Sequence, residues 1–220
     1  MRIVLCCAFA ALFGISGLTH ATAVPGQGTW ETTLQGRDIN GHAIAATDPD
    51  AVFAYDTVLD ATWYLTANTS PLDWAGSKNW AAGLTVGTFR GWSLPEAGPE
   101  CYGYSCTDSQ MGELWYTQLG NVAYNGMTNS GPFKNLYMNF YWTGTQYAYA
   151  PNLDVAWYFE ANYGTQSTTA TIYALLALAI RPGDVLTAVP EPETYAMLLT
   201  GLVGVVLLRC RVHPRKAALV

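Results

Sequence analysis

The chain has 220 residues, 50% of them hydrophobic, with 10 Lys and Arg against 16 Asp and Glu. Five of the ten bases, Arg2, Arg209, Arg211, Arg215 and Lys216, sit at the two ends, so residues 24–188 carry five bases against fourteen acids, a net charge of −9. Such a surface repels phosphate backbones, which argues against nucleic acid as a partner, and a stretch of this length suits one domain with a full core.

In chain order, Arg2 is followed by an apolar run and then THATA, whose Ala21-Thr22-Ala23 has the small-x-small form of a signal-peptidase site. Residues 1–23 are therefore expected to be a secretory signal; the alternative is a retained N-terminal membrane helix. From Thr29 to Leu65, WETTLQG, AVFAYDTVL and ATWYL are β-branched and aromatic and are broken by NGH and TDPD, which predicts strands. SPLDWAGSKNWAAGL predicts a helix capped by Ser70, with Pro71 at its first position and Leu72, Gly76, Trp80 and Leu84 on one face. TDSQMGELWYTQLG predicts a second helix, with Thr107 and Gln110 as a capping box, Met111, Leu114, Trp115, Gln118 and Leu119 as its stripe, and Gly120 at its end. NFYWTGTQYA, VAWYFEAN and TIYALLALAI then predict antiparallel strands, the last apolar on both faces and so central. The expected fold class is α+β, a single domain at 24–188 with antiparallel strands and two helices.

Cys101 and Cys106 are the two cysteines of this domain. In an exported protein a small-loop disulfide is the expected state, and a redox-active or metal-binding thiol pair is the alternative. Two cysteines without a nearby His cannot complete a zinc site, so no metal and no cofactor is expected.

At residue 189 the composition changes. Val189-Pro190-Glu191-Pro192-Glu193 is followed by TYAMLLTGLVGVVLL and then RCRVHPRK. As a helix, residues 195–208 reach only about 21 Å, short of a hydrocarbon core of about 30 Å. Arg209, Arg211, Arg215 and Lys216 are expected to stop transfer on the cytoplasmic side and, by snorkelling, to lengthen the effective span. Pro190 and Pro192 make a stiff, accessible hinge on the outer side. This hinge, short apolar helix and basic end resemble the PEP-CTERM sorting signal of Gram-negative bacteria. The resemblance covers residues 189–220 and implies processing by an exosortase near Pro-Glu-Pro. It also implies a precursor anchored in the inner membrane, release to the cell surface or matrix, and an association with exopolysaccharide or biofilm. A permanent C-terminal anchor is the alternative.

Within the domain, eight short motifs come in a familiar order. They are Trp63-Tyr64-Leu65, DWAGSKNWAAGL, Gly91-Trp92-Ser93-Leu94-Pro95, Gly112-Glu113-Leu114, Pro132-Phe133-Lys134-Asn135-Leu136, Tyr141-Trp142-Thr143-Gly144-Thr145, Ala156-Trp157-Tyr158-Phe159 and Ile180-Arg181-Pro182. Together they resemble the DUF1566 (Lcl C-terminal) family, which implies a C-type-lectin-like fold related to the sulfatase-modifying factors. Ser93 departs from that pattern, because the family usually has Arg after the Trp.

No catalytic set stands out. His42 is the domain's only histidine and lies in a turn-like stretch, and no serine near it has a nucleophile-elbow context. Asp154 with Glu160 and Asp108 with Glu113 are the nearest candidates for paired carboxylates, but their sequence spacing says nothing of their separation. Ala150-Pro151-Asn152 lacks the leading carboxylate of a lectin calcium tripeptide. What remains is the aromatic content. Trp63, Trp92, Trp115, Trp142 and Trp157 are expected in the core, whereas Tyr102, Tyr104, Tyr147, Tyr149 and Tyr163 lie in loop-like stretches. Tyrosine pairs an apolar face with a polar edge, so Tyr147, Tyr149 and Tyr163 are the candidate ligand-facing aromatics, with polysaccharide as the expected partner. The expected role is non-catalytic; an enzyme on the same fold, or a structural surface protein without ligand, are the alternatives.

Overall fold

The computed structural model describes residues 28–149 and 153–186. The signal at 1–23, the sorting motif Val189 to Glu193, the apolar segment 195–208 and its charges Arg209, Arg211, Arg215 and Lys216 lie outside the described residues, as do Ala150, Pro151 and Asn152. No helix among the described residues is long and apolar enough to cross a membrane.

The domain is α+β with two antiparallel sheets. The first has the order β1-β2-β3-β7, from Leu34–Arg37, Phe53–Asp56, Ala61–Tyr64 and Ile180–Pro182. The second has the order β4-β5-β6, from Phe140–Gln146, Val155–Glu160 and Thr165–Ala170. Residues alternate across both sheets and feed two cores. Ala54, Trp63, Tyr141 and Phe159 enter one core with Trp115 and Leu119, while Phe53, Trp142 and Ala156 enter the other with Ala81, Trp92 and Leu94.

The expected central run is central in place but regular only at its end. Its Leu/Ala alternation sends Leu176, Leu178 and Ile180 to the first core and Ala177 and Ala179 to the second. Trp142 N–H donates to Leu176 O at 2.9 Å and Tyr64 N–H donates to Ala179 O at 3.0 Å, so the run is bonded to both sheets. Only 180–182 pairs as a strand, because a segment shared between two sheets cannot hold one continuous register.

Several expected boundaries are corrected. WETT is a short helical turn, α1 (Trp30–Thr33), because Thr29 O accepts from the N–H groups of Thr32 and Thr33. The first long helix, α2 (Trp74–Gly83), is capped by Asp73, which accepts from Gly76 N–H at 2.6 Å. Ser70 and Pro71 stay outside it, since Leu72 pairs by two backbone bonds with Leu175. Its fully buried residues are Ser77 and Ala81 rather than the expected stripe, although Trp80 and Leu84 pack partly against the second core.

The second helix starts at Gln110, capped by Ser109, whose Oγ accepts from Gly112 N–H at 2.9 Å. Thr107 is not its cap, and Gln110 instead uses its side-chain oxygen on Glu96 N–H at 2.7 Å. After α3 (Gln110–Gly112) the helix widens into a π-helical stretch, Glu113–Gln118. This stretch delivers Gln118 to the buried carboxylate of Asp56, which its Nε2 contacts at 2.8 Å. Asp56 Oδ2 also accepts from Trp63 Nε1, and Oδ1 accepts from the N–H groups of Val58 and Leu59. Finally, the polar segment TQSTTA, not expected as a strand, is β6.

Candidate functional site

The five tryptophans expected in the core are buried, at 0 to 3% exposure. Trp157 differs from the others in what covers it: it joins neither apolar core. Strand β5 carries it, and a shift of register between β4 and β5 brings Tyr147 to a ring-centroid distance of 5.4 Å. Tyr149 stands 5.6 Å from Tyr147, and Tyr102 stands 5.8 Å from Trp157 on another side. Tyr102 and Tyr149 are 66% and 67% exposed and Tyr147 is half-buried, so an indole almost wholly shielded from water has Tyr102 and Tyr147 against it and Tyr149 beyond Tyr147.

The disulfide between Cys101 and Cys106 is present, with Cα atoms 5.5 Å apart. It shapes the loop that holds Tyr102. Gly103 exchanges two backbone hydrogen bonds with Gln166, extending the second sheet beyond β6. Gln166 Nε2 donates to Gly98 O and Cys101 O at 2.7 and 2.6 Å, and Ser167 Oγ donates to Tyr102 Oη at 2.7 Å. The loop also rests on the start of α3, where a Cβ at Gly112 would collide with the Cys106 carbonyl.

The polar rim is acidic. Tyr149 Oη donates to Glu100 Oε1 at 3.1 Å, and this bond to a carboxylate raises the Tyr149 hydroxyl above its ordinary range. Trp157 Nε1 and Gln166 Oε1 are buried and have no hydrogen-bond partner among the described residues. Buried polar groups are nearly always paired, so a donor and an acceptor left open under the same loop mark a place that can accept a hydroxyl or a water.

A cleft of about 590 Å³ adjoins this platform, lined by Lys78, Trp92, Glu96, Pro99, Gly144 and Thr145 among others. Its far wall is α2, and its near wall is stitched by Ala97 N–H to Thr145 Oγ1 at 3.0 Å and by Gly144 N–H to Pro95 O at 2.8 Å. Pro99 lines the cleft and the next residue, Glu100, belongs to the platform. The cleft and the aromatic platform are therefore joined through the chain at Pro99 and Glu100. That arrangement admits an extended polymer laid across it, and the exposed phenol faces offer stacking with hydroxyl edges for hydrogen bonding.

Of the three tyrosines expected to face a ligand, Tyr147 and Tyr149 come together here and Tyr163 does not. Tyr163 is 43% exposed and lies beyond the disulfide loop, where its carbonyl accepts from Tyr124 N–H. Tyr102 was legible only as a surface tyrosine. Glu100, Gln166 and Ser167 carried no sequence signal, because their part depends on the loop folding against β6.

Of the carboxylates weighed for catalysis, Glu113 is engaged by a side-chain hydrogen bond. Glu113 Oε2 accepts from Thr117 Oγ1 at 2.9 Å, and Asp154 supplies its backbone carbonyl to Thr171 N–H. Burial pushes the Glu160 carboxyl up. His42 Nδ1 lies 3.0 Å from Asp38 Oδ2 on an exposed loop. Asp38 feels some desolvation that raises it, but the backbone and side-chain bonds from His42 outweigh this and leave its carboxyl lowered. No group of three or more His, Cys, Asp or Glu that could hold a metal occurs among the described residues. Comparison of the chain with family models, curated proteins and solved structures returned no match.

Proposed function

We propose that this chain is an exported, non-catalytic module that binds an extracellular polysaccharide along the cleft and its aromatic end. The single observation that carries the reading is the aromatic row Tyr102, Trp157, Tyr147 and Tyr149, with Glu100 at its rim. Two solvent-facing phenols, Tyr102 and Tyr149, beside a half-buried Tyr147 and one shielded indole are costly as mere packing, since tyrosine faces left in water gain nothing from burial. They are well suited to stacking on the apolar faces of sugar rings. On this reading the domain is lectin-like in role, as its resemblance to the DUF1566 family implies. The tail 189–220 is a PEP-CTERM signal, read by an exosortase, that holds the precursor in the inner membrane before delivery to the surface or matrix of a Gram-negative bacterium.

The test is binding of the purified full chain to a glycan array and to matrix polysaccharide. Binding should be weak per site and insensitive to EDTA. Tyr147→Ala with Tyr149→Ala should lower retention on the polymer at least tenfold, and the exposed Tyr149→Ala alone should weaken it while the unfolding midpoint moves by less than about 2 °C, as for surface changes. Binding that survives this double change, or that vanishes with EDTA, overturns the proposal. The delivery part is checked separately by intact mass of protein from its native host, which should end between Val189 and Glu193; recovery of Arg215 and Lys216 would mean a permanent anchor.

A further inference from the structure

On the other side of the disulfide loop lies a second tyrosine group that the saccharide reading does not use. The rings of Tyr104 and Tyr124 have centroids 4.2 Å apart at an interplanar angle of 34°, with exposures of 39% and 67%. The neighbouring Tyr104 side chain pushes the Tyr124 phenol above its ordinary range. At that centroid spacing the two rings are in van der Waals contact. Two backbone features hold the pair. Tyr124 has φ +68°, a left-handed conformation that a bulky side chain seldom adopts. Ser105, next to Tyr104, has φ +59° and donates its N–H to Tyr116 Oη at 3.0 Å, while that hydroxyl donates to Gly164 O at 2.6 Å.

We propose that Tyr104 and Tyr124 form an intramolecular dityrosine cross-link. The oxidant is hydrogen peroxide acting through a haem peroxidase. Each phenol gives up one electron and its hydroxyl proton to become a phenoxyl radical. The two radicals couple through their ortho carbons, and the hydrogens on those carbons then shift to oxygen to restore both phenols. One carbon–carbon bond forms, the peroxide O–O bond breaks, and two waters leave with the two electrons and two protons. The product is lighter by two hydrogens and ties the disulfide loop to the turn after the second helix. The pair Tyr147–Tyr149 serves as an internal comparison, because its rings are 5.6 Å apart at 57° and the Tyr149 hydroxyl is committed to Glu100.

The proposal is independent of saccharide binding and is tested on the full chain in detergent, kept dilute and treated with peroxide and a haem peroxidase. The expected product is a monomer with dityrosine fluorescence. After reduction of Cys101–Cys106, its peptide map should join the segment holding Tyr104 to that holding Tyr124. Tyr104→Phe keeps the ring and the fold but should abolish the signal entirely, whereas Tyr147→Phe should leave it unchanged. The same linked peptide is expected in protein recovered from its native host. Fluorescence that persists in Tyr104→Phe, linkage found only between chains, no product from the unaltered chain, or unlinked peptides in host material would each overturn the proposal.

Discussion

Replacing Asp56 with Asn exchanges one oxygen for an amide nitrogen and leaves the shape of the side chain almost unchanged. Asp56 is fully buried, and its two oxygens accept from Val58 N–H at 3.0 Å, Leu59 N–H at 3.1 Å, Trp63 Nε1 at 3.0 Å and Gln118 Nε2 at 2.8 Å. Asn keeps an acceptor for the two backbone donors but turns an NH₂ toward the indole and the amide. Gln118 can adapt, because its Oε1 has no partner among the described residues and a flip of the amide offers that oxygen to the new NH₂. Trp63 cannot adapt, being 0% exposed between β2 and the apolar core. A stranded buried donor costs about 1–3 kcal/mol, and the remaining bonds lose their charge assistance, so the expected destabilisation is about 2–4 kcal/mol. For a domain of this size that lowers the unfolding midpoint by roughly 5–15 °C. The assay is thermal and urea unfolding of Asp56→Asn, Trp63→Phe and the double variant. The Asn change should cost about 1–2 kcal/mol less when Trp63 is already Phe, since no indole N–H is left to strand. A midpoint within about 2 °C of the unaltered protein, or an equal cost in both backgrounds, would refute the reasoning.

Trp142→Ala should destabilise by about 3–5 kcal/mol, because it empties a fully buried site and frees Leu72 O from its 3.0 Å bond to Trp142 Nε1; chemical unfolding measures this. Cys101→Ser with Cys106→Ser should cost about 2 kcal/mol in the chain-entropy model and weaken polysaccharide retention as well, since the loop positions Tyr102. Tyr141 gives a pH signature: burial holds its phenol up to about 12 against an ordinary 10.0. Its folded state prefers the protonated form, so its contribution to stability is intact below pH 10 and is lost as pH rises toward about 12. Ultraviolet titration of Tyr141→Phe against the unaltered chain should remove the last-ionising phenol.

What the sequence disclosed, and what it hid, follows from the range of the interactions involved. Local composition marked the strands around Phe53, Trp63, Trp142 and Trp157, because β-branched and aromatic runs between turn residues are a short-range signal. It misplaced both helix starts, since Asp73 and Ser109 win as caps only after Leu72 has paired with Leu175 and the disulfide has drawn Cys106 against Gly112. The strand Thr165–Ala170 was hidden because its buried positions, Gln166 and Ser167, are polar and are satisfied by the distant residues Gly98, Cys101 and Tyr102. For the candidate site, loop tyrosines could be picked out by their Gly- and Asn-containing surroundings. Which of them share a surface could not, because Tyr102 and Tyr147 meet only through Trp157.

The Leu/Ala run shared by the two sheets sets an order of events during synthesis. Leu176, Leu178 and Ile180 close one core and Ala177 and Ala179 the other, yet these are among the last residues of the domain to be made. Until they arrive, Trp142 N–H and Tyr64 N–H lack the carbonyls they bond, and neither apolar interior is sealed. Contacts this distant in sequence form late, so a nascent chain ending before residue 175 should remain loosely structured and open to proteases. A domain that cannot close until its end is made spends most of its synthesis as an open chain.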